Sequence, residues 1–158
     1  LMNKLKIDSG SCQKTRLMNR IFGNSSRLSQ ELNKRMKHEL NLSLAKYEVL
    51  IAIDRAEGGE ITMSNLSREL LVSNANMTGM TTRLQSDGLV EKQSLPSDRR
   101  IFSVKLTEEG QERLNAAMEK HGIWIRELMA CVDNEEVSFM NSFLDKMDRQ
   151  AEGFAEVN

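Results

Sequence analysis

Between Ser73 and Arg83 the chain carries Ser73, Asn74, Asn76, Thr78, Thr81, Thr82 and Arg83, with no acid until Asp87. Amides, hydroxyls and one guanidinium of moderate length suit contact with duplex nucleic acid. Asn and Arg reach base edges, and Thr reaches phosphate or a thymine methyl. Asn74, Asn76, Thr81 and Arg83 are the candidates for base-edge or nearby phosphate contact. Ser73 and Thr78 are better placed for phosphates at a helix N-terminus, where backbone N–H groups also point outward. A second group, Asp98-Arg99-Arg100, follows Pro96-Ser97 and puts two guanidinium groups on a turn-prone tip. Taken alone, that tip is equally a solvated charged turn. Nothing comparable supports catalysis. The chain has no Walker loop, no GxGxxG and no HExxH, and its two histidines and two cysteines lie far apart. Cys12 and Cys131 form neither a CxxC pair nor a zinc pattern, so no metal and no cofactor is expected.

The elements that position these residues can be read from spacing. Ser73 is an N-cap candidate. Met77, Met80 and Leu84, with Ala75 partly in line, recur at helical spacing and predict an inward face. Gly88 stops that helix. Two β-biased runs follow, 90–95 and 100–106, the second with Phe102, Val104 and Leu106 on one face and Ile101, Ser103 and Lys105 on the other. Upstream, Thr62 caps a predicted helix over 63–70 with Leu66 and Leu70 inward, and Ile61 suits a short strand closing the sheet. A helix, a second outward-polar helix and a basic hairpin make a winged helix-turn-helix. A winged helix used only for protein contact should instead show an apolar or acidic recognition face.

Residues 73–84, then Gly88-Leu89-Val90, Asp98-Arg99-Arg100, and Val104-Lys105-Leu106-Thr107 with Gly110 resemble the signature of the multiple-antibiotic-resistance regulator (MarR) family. The resemblance extends in element order from about residue 17 to 147. It implies a homodimeric transcription regulator, often a repressor, released by a small ligand or by oxidation. It also implies that Asp98 orients Arg100, that Arg100 enters the minor groove and that Arg99 assists at phosphate. A narrow A·T-rich groove would favour that insertion electrostatically. Ligands of relatives, such as phenolic or aromatic acids, sit between the dimer helices and the winged lobe. By that resemblance Arg20, or Arg16, on the first helix near Asn24 would receive a carboxylate. Some relatives carry a reactive cysteine in the first helix, which makes a redox-sensing repressor using Cys12 an alternative. Those relatives flank it with apolar and tyrosine residues, whereas Ser11, Gln13 and Lys14 stand here. A transcriptional activator of the same fold is a further alternative.

The rest of the chain supplies a scaffold. Of 158 residues 28% are charged and 4% aromatic, with a single proline, Pro96. That composition predicts a mainly α (α+β) chain with long helices. Net charge is −1, but unevenly spread: residues 1–61 carry +4, 62–106 carry +2 and 107–158 carry −7. A helix is predicted over 11–39, with Leu17, Ile21, Leu28, Leu32, Met36 and Leu40 near one stripe. Ser43 caps the next, over 44–56, with Tyr47, Leu50, Ile51 and Ile53 buried. After Thr107, a good N-cap, Leu114, Met118, His121, Ile125, Leu128 and Val132 form an a/d stripe to about residue 131. There His121 reads as an interface histidine, while His38 stands isolated among charges. Asp133 and Glu136 make a capping box for a last helix. The expected organisation is dimerisation helices at 11–42 and 107–150, a winged DNA-binding lobe at 43–106, and loose tails at 1–10 and 151–158. Two copies would place recognition helices in successive major grooves of a palindromic operator, about 34 Å apart. No apolar run reaches the roughly 20 residues that span a bilayer and no secretion signal is visible, so the expected location is the cytoplasm.

Overall fold

The computed structural model describes residues 9–94, 98 and 100–155. Most of the expected N-terminal tail, the wing-tip residues Leu95, Pro96 and Ser97, the candidate Arg99, and residues 156–158 lie outside them.

Helix α1 (Ser9–Leu40) runs uninterrupted, since nothing in it breaks a helix. It closes at Asn41, whose φ of 48° an asparagine tolerates. The Asn33 side-chain oxygen then accepts the Leu44 N–H at 3.0 Å and seats the start of α2 (Leu44–Arg55) against α1. Ser43 caps α2 through the Lys46 N–H at 3.2 Å. A short 3-10 turn, Glu57–Gly59, leads to β1 (Glu60–Thr62) and directly into α3 (Met63–Glu69), which Thr62 caps through the Asn65 N–H at 3.3 Å. Then come α4 (Asn74–Ser86), β2 (Val90–Ser94), β3 (Phe102–Leu106), α5 (Glu108–Leu128) and α6 (Asn134–Ala155).

The described residues group into two compact units, the first ending at His121 and the second starting at Gly122, so the division falls inside α5. In the first unit Met36, Leu50, Ile53, Leu66, Met77, Leu84, Val104 and Leu114 are buried. Each such side chain contributes about 1.5–3 kcal/mol. The sheet is antiparallel in the order β1-β3-β2, with Val104 opposite both Ile61 and Lys92. Glu60 on β1 ties all three strands. Its carboxylate accepts from the Ser103 hydroxyl and, at 3.1 Å, from the Gln93 amide. Those two bonds, Ser103's first, hold its carboxyl below the usual range.

β3 pairs on both sides as a regular strand, and burial does not simply follow its alternation: Val104 is buried, and so is Ser103 on the opposite face, while Phe102 is exposed. Ser103 occupies the middle strand and spends its hydroxyl on Glu60, which makes its burial tolerable. Phe102 lies at the outer end of the hairpin, where the Lys92 ammonium sits 4.6 Å from its ring centroid. On α1, Leu17 and Leu28 of the expected stripe are also exposed. In the second unit, α6 opens with the reciprocal cap read from sequence. The Glu136 N–H donates to Asp133 at 2.8 Å and the Asp133 N–H to Glu136 at 3.0 Å. It continues to Ala155, through the stretch from 151 expected to be loose, because alanine and glutamate favour helix there. Helix α5, expected to reach about residue 131, ends at Leu128.

Candidate nucleic-acid interface

Two short helices and a tight turn present the outer face of α4. The Leu70 N–H donates to the Leu66 carbonyl at 3.1 Å, and the Val72 N–H returns to Ser67 at 3.0 Å, which ends α3 in a closed turn. The residue at its left-handed position is Leu71, with φ 53° and 92% exposure. A leucine there costs roughly 1–2 kcal/mol that glycine would not. We therefore expect Leu71→Gly to raise unfolding stability by about 1 kcal/mol by denaturant titration, part of the relief being offset by glycine's greater freedom when unfolded. A midpoint unchanged or lowered would show that the turn stores no strain.

Ser73 is the N-cap of α4, accepting the Asn76 N–H at 3.2 Å. Met77 and Leu84 point into the core, and Met80 is half-buried. Asn74, Asn76, Thr78, Thr82 and Arg83 are exposed. Asn74 also accepts the Ser67 hydroxyl, so its amide nitrogen is the end left for an outside partner. The Thr78 and Thr82 hydroxyls donate to carbonyls one turn back, at 2.9 and 2.8 Å, which turns each methyl and a free lone pair outward. Thr81 must be removed from the contact set. It is 1% exposed, and its hydroxyl donates to the Met77 and Thr78 carbonyls at 3.0 and 3.1 Å. Position 81 falls one turn after Met77 and one before Leu84, so helical spacing puts it on the buried side despite its polarity.

The far end of α4 is fixed twice. Gly88 adopts φ 75° and lets the Leu89 N–H return to the Leu84 carbonyl at 3.0 Å. The Lys46 ammonium of α2 pairs with Asp87. On the wing, Asp98 accepts from the Arg100 backbone N–H at 2.9 Å and from its guanidinium Nε at 3.2 Å. These bonds, the backbone one first, hold the Asp98 carboxyl below its usual range. Arg100 stays 91% exposed, so the guanidinium is aimed yet unburied.

Arg16, Arg20 and Asn24 form an exposed stripe on α1, in a groove they share with Asn19, Gly23 and Arg27 of the same helix. A second cavity, which sequence reading missed, opens between α2, the end of α3 and His121. It is about 340 Å³ and includes Tyr47, Glu48, Arg55 and Glu69 in its lining. The Tyr47 and His121 rings stack tilted, centroids 5.0 Å apart, so His121 is a cavity residue. Burial pushes the Tyr47 phenol up against a smaller opposing effect of Arg55, pushes the Glu48 carboxyl up, and pushes the His121 imidazole down. No local spacing links Tyr47 to His121; only the packing of α5 on α2 brings them together. Cys12 and Cys131 are both exposed. Among the described residues no cluster of three or more His, Cys, Asp or Glu could hold a metal ion, and no helix is long and apolar enough to cross a membrane.

Comparison with known proteins adds an independent line. A sequence profile of the MarR family matches residues 42–102. The chain is 30% identical to the transcriptional regulator HosA of Escherichia coli O111:H-, over 83% of this chain and 96% of that one. It is 29% identical to the uncharacterized HTH-type transcriptional regulator YdgJ of Bacillus subtilis (strain 168), over 67% of this chain, and spans 63% of that protein's length. Among solved structures it is similar to a mutant MarR from E. coli complexed with operator DNA. The TM-score is 0.77 and the identity 27%, over 85% of this chain and 95% of that one.

Proposed function

This chain belongs to the MarR family of DNA-binding transcriptional regulators, and from that premise we propose that it acts as a homodimeric repressor of an inverted-repeat operator, relieved by a small ligand. Each protomer lays the outer face of α4 in a major groove, with Asn76 and Arg83 at base edges and Asn74, Ser73 and Thr78 toward phosphate. Arg100 enters the flanking minor groove, with Arg99 assisting at phosphate. The observation that carries this reading is the exposed guanidinium of Arg100 held on Asp98, beside a helix whose solvent face is amide and hydroxyl. Repression follows from occupancy, since a dimer spanning about 34 Å of promoter excludes polymerase. The work is done in the cytoplasm, where the promoter is.

Apolar exposure supports the dimer. Phe22 and Leu28 on α1, and Phe139, Met140 and Leu144 on α6, stand in water in the single chain. Residues 11–42 and 107–150 are accordingly the proposed interface helices, and 43–106 the DNA-binding lobe. For the ligand, the cavity at Tyr47, lined from three elements and partly apolar, is a better receptacle than the stripe of Arg16, Arg20 and Asn24, which lies on one helix. Exposure of Cys12 favours a second reading, relief by oxidation. Peroxide that releases operator from the wild type but not from Cys12→Ser would select it.

The test is a bound-sequence selection followed by a salt titration. We expect an inverted repeat, a sedimenting species of twice the chain mass, and affinity that falls steeply with salt. With about six to ten phosphate contacts the loss between 50 and 200 mM salt is roughly 10³–10⁵. A monomer, or recovered sites without two-fold symmetry, would overturn the reading, and in vitro transcription that rises on adding protein would make it an activator.

A further inference from the structure

We propose that the cavity beside Tyr47 receives an organic cation with an aromatic body, and that an amine of this class, not an aromatic acid, is the effector. The proposal rests on the reading of the chain as a ligand-relieved regulator and names the ligand's charge. The cavity, about 340 Å³, lies in the range of roughly 300–1,000 Å³ typical of small-molecule sites. Leu44, Ile51 and Leu70 give it apolar walls.

Its charges decide the sign of the guest. Two carboxylates, Glu48 and Glu69, face one guanidinium, Arg55, and none of the three is engaged in an ion pair within the described residues. His121 adds no positive charge near neutral pH, because burial disfavours the imidazolium. The lining therefore carries a net negative charge. Glu48 is exposed yet has no cation paired with it among the described residues, and its surroundings push its carboxyl up by desolvation. An ammonium group would supply the missing partner. A carboxylate guest would meet Arg55 but would bring a third negative charge into the same space. Tyr47 completes the site. It is 4% exposed, and its ring is the kind of face that attracts a cation.

The probes are 2-phenylethylamine and phenylacetate, which share a ring and a two-carbon reach but carry opposite charge. Isothermal titration of the full chain at neutral pH is expected to give the amine at least about tenfold tighter binding. Glu48→Gln should remove most of that preference, while its melting curve, at or above that of the wild type, shows the variant folded. Glu69→Gln should reduce it as well. Tighter binding of phenylacetate overturns the cation assignment and leaves a ligand-relieved regulator standing. A preference that survives both substitutions overturns the site. If neither probe binds at millimolar concentration, the proposal falls. If the amine binds as expected and operator affinity does not change, the cavity assignment holds and it is the ligand-relieved reading that fails.

Discussion

Arg100→Ala weakens binding to the specific operator by roughly thirty-fold to nearly a thousand-fold, while helix content and assembly state stay as they are. The magnitude follows from about 1–2 kcal/mol for each guanidinium withdrawn from a groove, counted over two wings of a dimer. The absence of structural damage follows from exposure: 91% of the Arg100 side chain is already in water and it supports no core contact. Fluorescence anisotropy on a labelled operator at fixed salt measures the first part, and circular dichroism with sedimentation the second. Asp98→Asn sharpens the result. Removing a carboxylate beside DNA should by simple electrostatics strengthen non-specific binding. If Asp98 earns its place by aiming Arg100, the ratio of specific to non-specific affinity falls nonetheless. An operator complex indifferent to Arg100→Ala would remove the wing from recognition.

Gly110→Ala destabilises the protein by about 3–4 kcal/mol. A Cβ at this position would lie 1.9 Å from the Leu89 carbonyl oxygen and 2.9 Å from its carbon, so backbone, not a pliable side chain, stands in the way. That carbonyl is also committed, accepting the Thr107 N–H at 3.1 Å. Thr107 in turn donates its hydroxyl to the Gly88 carbonyl at 2.6 Å and accepts the Gly110 N–H at 2.9 Å. Accommodating a methyl group therefore means lifting the start of α5 off the exit of α4. Overpacking costs about 1–3 kcal/mol, and each strained hydrogen bond about 1 more. For a chain of this size the melting midpoint falls by roughly 6–16 °C. Gly23→Ala is the control. Nothing lies within 4 Å of the Cβ it would gain, so it should be neutral or stabilise α1 by about 0.5–1 kcal/mol. Equal melting of the two variants would show that the contact between α5 and Leu89 is slack.

Much of this architecture was legible one residue at a time. Ser43, Thr62, Ser73 and Asp133 are caps by virtue of short-range chemistry, and each caps the helix it precedes. Gly88 takes the left-handed conformation for which glycine is suited, and the short strand at Ile61 pairs where a third strand was expected. What polarity misleads on has one cause. Thr81 reads as an outward contact residue because it is polar, yet it is buried, as is Ser103, each with its hydroxyl satisfied by a carbonyl or a carboxylate. Phe102 shares a strand face with the buried Val104, yet it is exposed and closes the end of a hairpin with Lys92 across its ring. Whether a side chain's polarity predicts its direction depends on whether a partner waits inside, and that partner usually comes from another element.

The order of elements, the capped ends, the family and the polar rod of α4 are properties of neighbours along the chain, governed by contacts spanning a few residues. The withdrawal of Thr81, the clamp of Glu60 across three strands and the cavity shared by Tyr47, Glu48, Glu69 and His121 were decided only in three dimensions. Burial, desolvation and charge balance are set by residues remote in sequence, so no local spacing encodes them.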